Sequence, residues 1–201
     1  MAVISSEIVK TLRDKTGAGM MDCKRALEQT NGDLEQATDY LRKKGAAVAA
    51  KRAEKEANQG VIEAYIHAGS RVGAMVELNC ETDFVAKTPE FKQLAHDIAM
   101  QIAAMSPLFV SKENVDEATL QKELEIYKAQ AVNEGKRPEI AEKIAEGRLQ
   151  KFYQEVCLLE QSFIKDSGKT IRDLLSDATG KVGEKIGVRR FHRYHLGESP
   201  R

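Results

Sequence analysis

The sequence predicts an α+β fold, with a small helical module ahead of a larger domain built on a three-stranded antiparallel sheet. Three observations lead to this prediction. Apolar residues recur at helical spacing over the first 45 residues, period-2 alternation marks two segments between residues 61 and 81, and a polar helical pattern follows residue 117. A chain of 201 residues is long enough to bury one or two modest cores.

Residues 1–45 are predicted to form three short helices. Their apolar stripes contain few members, and Asp33 is the expected N-cap of the third helix. Such a short apolar set makes a compact three-helix module of the ubiquitin-associated type. The stripe residues are Ile4, Ile8, Val9 and Leu12, then Met20, Met21, Cys23, Ala26 and Leu27, then Leu34, Ala37 and Leu41.

Residues 46–59 are rich in alanine and in charged residues and carry no apolar stripe, which predicts a solvated helical linker. Residues 60–201 are predicted to form the core domain. Its first two strands, residues 61–67 and 71–81, are joined by a loop containing Gly69. A helix over residues 91–105 can cover one sheet face, and residues 188–196 can supply the third strand.

An antiparallel coiled-coil hairpin is predicted as an insertion at about residues 117–150. The first arm repeats apolar positions at spacings of four, three and four, and Pro138 can open the second arm after a turn. The seam residues are Leu120, Leu124, Tyr127 and Ala131 in the first arm, and Ile140, Ile144 and Ala145 in the second.

The segment after the second strand is unusual because the chain changes there from strand to helix over few residues. Thr82 and Asp83 can both cap a helix. Pro89 disfavours helix at the residue before it, so residues 84–87 can make little more than one turn. Phe84 is therefore either a rigidly held, outward-pointing aromatic or an ordinary core residue that folds back onto the sheet.

Composition and motifs argue against an enzyme. Lysine plus arginine and aspartate plus glutamate both number 31, so the chain lacks the basic excess of a general nucleic-acid binder. Gly168-Lys169-Thr170 resembles part of a P-loop, but Phe163 stands where that loop needs glycine. The four histidines are scattered, and no metal-ligand spacing occurs, so no cofactor and no metal is expected.

The expected location is the cytoplasm. The three cysteines are widely spaced, which favours reduced thiols, and no apolar run is long enough for a membrane span.

Two long motifs resemble the elongation factor Ts family of nucleotide-exchange factors: residues 12–24, LRDKTGAGMMDCK, and residues 77–85, ELNCETDFV. The order of the predicted parts also resembles that family, including a return strand at Arg190 and Phe191. The resemblance is to the short form with one core repeat, and it spans essentially the whole chain.

The resemblance implies a guanine nucleotide exchange factor for elongation factor Tu, binding its GDP-bound and nucleotide-free forms. In that family the Thr82, Asp83, Phe84 and Val85 stretch inserts between helices of the partner's nucleotide-binding domain and disturbs its magnesium site. Arg13, Met20 and Met21 match a second contact with that domain. His67 corresponds to a position that contacts another domain of the partner.

Met20 and Met21 could also be core residues of the helical module, and as neighbours on one helix we expect one to be buried and the other exposed. The family's short form implies a homodimer. The first two strands favour this as well, with Tyr65 and Met75 expected on a second, uncovered face. The alternatives are a non-catalytic adaptor built on the three-helix module and a thiol or metal enzyme.

Overall fold

The computed structural model describes residues 4–198 and has the α+β architecture that the sequence predicts. Its helices are α1 (Ser6–Thr16), α2 (Met20–Gln29), α3 (Leu34–Arg52), α4 (Asp83–Ala86), α5 (Pro89–Met105), α6 (Glu117–Asn133), α7 (Pro138–Val156) and α8 (Ile171–Val182). Its strands are β1 (Gln59–Ile66), β2 (Val72–Cys80), β3 (Ser162–Phe163), β4 (Asp166–Thr170) and β5 (Gly187–His195). None of these helices is long and apolar enough to cross a membrane.

The described chain divides into two units. The first unit contains the residues up to Gly60, the segment Asn79–Thr88 and the segment Asp173–Gly187. The second contains Val61–Leu78, Pro89–Arg172 and the residues from Val188 onward. The first unit is thus assembled from three separate stretches of sequence.

Helices α1, α2 and α3 enclose a small core in the first unit, as the apolar stripes predict. Asp33 is the N-cap of α3, and its carboxylate accepts hydrogen bonds from the backbone N–H groups of Glu35 and Gln36, each at 2.9 Å. Gly17 ends α1 in the left-handed region, at φ 67°, where glycine avoids the steric cost of a side chain. The buried core residues are Val9, Leu12, Cys23, Ala26, Leu27 and Ala37.

Helix α3 is longer than predicted. It continues to Arg52, so the first half of the segment predicted as a separate linker, residues 46–59, belongs to α3. Gly45 does not interrupt the helix and lies against Gly180 of α8 within the same unit. A Cβ built on Gly180 would stand 2.6 Å from the Cα of Gly45, so the two backbones approach too closely for a side chain between them.

The main sheet has the strand order β1-β2-β5 and is antiparallel, which confirms the predicted three-stranded sheet. Gly69 and Ser70 make the turn between β1 and β2 with φ angles of 87° and 52°. Helix α5 covers one face of the sheet. Its His96 contacts Glu63, and Arg193 of β5 donates from Nε to the carbonyl oxygen of Ala103 at 3.1 Å.

The opposite face of the sheet is exposed, but the prediction placed one of its residues wrongly. Tyr65 lies on the covered face, where its ring meets His96 edge-on at 5.5 Å between centroids. Met75 is exposed as expected, and the other large apolar side chains of that face are Ile62, Ile66, Tyr194 and Leu196. Tyr65 shares the parity of Val61 in an alternating strand, so it points to the same side.

Helices α6 and α7 pack against each other as a hairpin closed by a four-residue turn. The buried seam contains Ala131 on α6 and Ala141 and Ala145 on α7, whereas Ile140, predicted to lie in the seam, is exposed. The side chains of Lys128 and Glu142 pair across the hairpin at 2.8 Å. Coiled-coil packing along the length of α6 and α7 stays a prediction.

A small hairpin, β3–β4, was not predicted. It is anchored by the buried Gln101 of α5, whose Nε2 donates to Oε1 of Gln161 at 3.2 Å and to the carbonyl oxygen of Ser162 at 3.1 Å. The Oε1 of Gln101 accepts from the backbone N–H of Ile164 at 2.9 Å. Because a buried amide is stable only when it is hydrogen-bonded, this arrangement fixes the position of the hairpin.

Two glycine substitutions should have opposite effects on stability. We expect Gly180→Ala to lower the free energy of unfolding by about 1–3 kcal/mol, because the new methyl group meets the backbone of Gly45. Gly147→Ala is the matched control, since a Cβ there meets nothing within 4 Å on helix α7. It should raise the free energy of unfolding by about 0.5–1 kcal/mol. Urea denaturation measures both, and a neutral Gly180→Ala would contradict the close approach.

Candidate functional site

The Phe84 turn, residues 82–87, connects β2 to α5 and contains only the single helical turn of α4. Thr82 is extended, at φ −125° and ψ 154°, and Pro89 is already the first residue of α5. Among the residues of α4 only Ala86 is buried. The side chain of Phe84 is 80% exposed, so of the two predicted positions the outward-pointing one is observed.

Thr82 is the N-cap of α4, but its side chain does not cap the helix as predicted. Its Oγ1 instead donates to Oε1 of Glu184 at 2.7 Å, and its backbone N–H donates to Oε2 of the same carboxylate at 3.0 Å. A carboxylate is a stronger hydrogen-bond acceptor for the hydroxyl than the neutral backbone groups of a one-turn helix. Both donors of Thr82 are therefore directed away from α4.

Glu81 makes the reciprocal contact. Its Oε1 accepts from the backbone N–H of Lys185 at 2.7 Å, and its Oε2 accepts from NH1 of Arg52 at 2.9 Å. The neighbours Glu81 and Thr82 are thus joined to the neighbours Glu184 and Lys185 by a crossed pair of carboxylate contacts. We refer to these four residues as the crossed clamp.

Lys185 ties the crossed clamp to the end of α3. Its Nζ donates to the carbonyl oxygens of Ala53 at 2.7 Å and of Lys55 at 2.9 Å. These carbonyl groups follow the last turn of α3, where backbone acceptors lack helical partners. The end of α3, the Phe84 turn and the segment after α8 are therefore connected within the first unit.

The residues that end β2 just before the turn, Asn79 and Cys80, are buried. Burial raises the pKa of the Cys80 thiol, and the negative charge of Glu184 adds to this effect. The thiol donates to the carbonyl oxygen of Thr82 at 3.1 Å. The buried Oδ1 of Asn79 has no hydrogen-bond partner among the described residues.

Asp83 lies on the exposed side of the turn and forms an ion pair with Lys87 one helical turn later. The hydrogen bond and charge of Lys87 hold the pKa of the Asp83 carboxyl below its usual range. Asp83 is thus negatively charged at neutral pH beside the exposed ring of Phe84. Val85 is half-buried and completes the predicted stretch.

Arg13, Met20 and Met21 are all exposed on the helical module. Met20 and Met21 are the first two residues of α2, with 46% and 59% of their surfaces exposed. The prediction that one of them is buried is therefore wrong. Both precede the buried stripe of α2, which starts at Cys23, so neither reaches the module core.

The structure places seven of the eight predicted site residues in one unit. Arg13, Met20, Met21 and the stretch from Thr82 to Val85 belong to the first unit, and His67 belongs to the second. His67 follows β1 and is exposed, with its Nδ1 3.0 Å from the hydroxyl oxygen of Tyr65. What the residues of the first unit offer is exposed aromatic and thioether surface, which suits contact with another macromolecule.

Sequence reasoning missed Glu184, Lys185 and Arg52. Glu184 lies 102 residues after Thr82, Lys185 lies 104 residues after Glu81, and Arg52 lies 29 residues before Glu81. No local pattern connects residues so far apart. The one available signal was a charged Glu184-Lys185 pair between Gly183 and Gly187, in a short connection ahead of a strand. Within residues 4–198 no three or more histidine, cysteine or acidic residues are arranged to hold a metal ion.

Phe84→Ala should leave the stability of the protein almost unchanged. Because the ring is 80% exposed, we expect the free energy of unfolding to stay within about 0.5 kcal/mol of the parent value. Phe91→Ala is the matched control, because Phe91 is only 3% exposed on α5 and its truncation should cost about 3–5 kcal/mol. Denaturant titration of both variants measures this difference. A large loss from Phe84→Ala would show that the ring belongs to the core.

Comparison with known proteins identifies the family. The family model described as elongation factor TS matches residues 4–198. The chain is 59% identical to elongation factor Ts of Carboxydothermus hydrogenoformans over 98% of its own length and 90% of the relative. It is 59% identical to elongation factor Ts of Moorella thermoacetica over 98% and 97% of the two chains. With elongation factor Ts of Caldanaerobacter subterraneus subsp. tengcongensis the identity is 56% over 98% of each chain. The chain therefore belongs to the elongation factor Ts family and has a role in translation elongation.

Proposed function

We propose that the protein is a guanine nucleotide exchange factor for elongation factor Tu and promotes release of GDP. The observation that carries this proposal is the exposure of Phe84 on a short turn whose first residue, Thr82, is hydrogen-bonded to Glu184 of the first unit. An aromatic ring held in this way has no role in the protein's own core. It is suited to insertion into a partner.

The proposed mechanism requires no chemistry on this chain. The ring of Phe84 enters between helices of the partner's nucleotide-binding domain, with Thr82, Asp83 and Val85 around it. Full burial of such a ring supplies about 2–3 kcal/mol, which is enough to shift a helix by a small amount. Magnesium bridges the phosphates of the nucleotide in such proteins, so displacement of its ligands weakens GDP binding.

A second contact is proposed for the helical module. Arg13, Met20 and Met21 would bind a helix of the same partner domain, since flexible thioether side chains adapt to an apolar surface. We propose that residues 1–45 form this ubiquitin-associated-like module, that the last residues of α3 and those after it form the linker over residues 46–59, and that residues 60–201 form the core domain. His67 is proposed to contact another domain of the partner, and the proposed place of action is the cytoplasm.

The alternative function is that of a non-catalytic adaptor that binds through the three-helix module. The exposure of both Met20 and Met21 is compatible with this alternative. An adaptor would bind its partner without changing the partner's affinity for GDP. Nucleotide release therefore separates the two functions.

Release of a fluorescent GDP analogue from elongation factor Tu tests the exchange function. Substoichiometric amounts of the protein should accelerate release, and Phe84→Ala should lower this acceleration by at least tenfold, equivalent to about 1.4 kcal/mol of lost burial energy. Ile140→Ala on α7 is the control, since Ile140 is also exposed but lies outside the proposed site. Excess GDP should dissociate the complex, because coupling between two ligands is reciprocal. Binding without faster release would favour the adaptor.

We also propose that the protein is a homodimer through the exposed face of the main sheet. Five large apolar side chains lie there: Ile62, Ile66, Met75, Tyr194 and Leu196 are each at least 49% exposed. Contiguous apolar surface of this kind usually marks an interface. A twofold axis would bury the same face of two copies against itself.

Light scattering under reducing conditions tests the homodimer. We expect about twice the chain mass at micromolar concentration, and the chain mass for Ile66→Lys, because a twofold interface would bury the new charge twice. Ile140→Lys, on the exposed surface of α7, should leave the mass unchanged. A parent protein that is monomeric under these conditions would contradict the proposal.

A further inference from the structure

We infer that Glu184 is a positioning residue for nucleotide exchange, which holds the Phe84 turn in its outward-pointing conformation through Thr82. This inference rests on the proposed exchange function and assigns a role to a residue that does not itself contact the partner. It is carried by the crossed clamp and by the shortness and small burial of α4.

The contact between Glu184 and Thr82 uses both oxygens of one carboxylate and both donors of one residue, at 2.7 and 3.0 Å. Two hydrogen bonds to one group fix the orientation of Thr82 as well as its position. Thr82 is the residue from which α4 begins, so its orientation sets the direction in which Asp83 and Phe84 leave β2.

Helix α4 is short and contributes little burial to the turn. A helix of four residues is too short to be stable by its own hydrogen bonds, and α4 has no side-chain cap. Only Ala86 is buried, while Phe84 extends into solvent. At the far end the turn is limited by Thr88, whose Oγ1 donates to the carbonyl oxygen of Val85 at 2.8 Å, and by the start of α5 at Pro89.

Glu81 has a different task from Glu184. Its carboxylate accepts from Arg52 and from the backbone N–H of Lys185, so it holds the segment that carries Glu184 rather than the turn itself. The Glu81 carboxylate thereby fixes the position of the Glu184 carboxylate. Removal of Glu184 alone should therefore free Thr82 while the contacts of Glu81 remain.

The chain contains no tryptophan, so Phe84→Trp introduces a single indole reporter at the tip of the turn. Its fluorescence anisotropy reports local order without any partner protein. We expect Glu184→Ala, combined with this reporter, to lower the anisotropy clearly. Thr82→Val, which keeps the backbone donor and removes the hydroxyl, should have a smaller effect. Glu146→Ala, at an exposed carboxylate of α7, is the matched control and should have none.

Exchange is then measured with Phe84 present. We expect Glu184→Ala to raise the concentration of factor needed for half-maximal GDP release by about tenfold, because the variant loses both hydrogen bonds from Thr82 to a charged group. The release rate at saturating factor should change by less than about twofold, because the bound turn reaches the same conformation. Glu184→Gln keeps one carbonyl acceptor for Thr82, so its half-maximal concentration should lie between those of the parent and of Glu184→Ala. Thr82→Val tests the same contact if Glu184→Ala does not fold.

Each outcome has one meaning. Unchanged anisotropy and unchanged exchange in folded Glu184→Ala would overturn the positioning role. The positioning role would also be overturned if Glu184→Ala had a mobile turn with normal exchange, or an ordered turn with lost exchange. Either result would separate the order of the turn from the exchange activity. If the parent protein does not accelerate GDP release from elongation factor Tu, the proposed function is wrong. The anisotropy measurement still tests whether Glu184 orders the turn.

Discussion

An aromatic side chain that points into solvent cannot order its own backbone, and this constraint governs the first unit. Phe84 is 80% exposed on a helix of four residues, so burial contributes almost nothing to holding it. We infer that the order of the turn depends on the hydrogen bonds that Thr82 donates. Thr82 donates both of them to the Glu184 carboxylate, and Glu81 holds the residue after Glu184 by accepting from the backbone N–H of Lys185. A partly buried carboxylate is tolerated because donors surround it.

The same contacts explain why three separate stretches of sequence form one unit. Arg52 and the carbonyl groups after α3 reach Glu81 and Lys185, which brings the end of the helical module to the base of the Phe84 turn. Gly45 and Gly180 let α3 and α8 approach closely. The two proposed contact surfaces, one around Phe84 and one with Arg13, Met20 and Met21, therefore belong to a single unit.

Much of this could be predicted because the signals are local. Periodicity predicted most of the helices and the three strands of the main sheet, and Asp33 predicted the start of α3. The distance from Thr82 to Pro89 predicted a single helical turn but left open whether Phe84 points outward or into the core. The errors have physical causes. The exposure of Met20 and Met21 depends on where the stripe of α2 begins, and α3 continues through Gly45 because α8 packs there. The pairing of Thr82 with Glu184 and of Gln101 with Gln161 joins residues 102 and 60 positions apart, which no periodic pattern records.

The magnitudes show why order before binding matters for an exchange factor of this kind. Fixing the backbone of one residue costs about 1–2 kcal/mol, so ordering four residues on contact would cost about 4–8 kcal/mol. Burial of one phenylalanine supplies only about 2–3 kcal/mol. A disordered turn would lose this gain to its own ordering and would bind a partner more weakly. When the ordering is already complete in the free protein, the burial energy of Phe84 remains available for contact with a partner. The crossed clamp and the exposed ring are therefore two parts of one requirement.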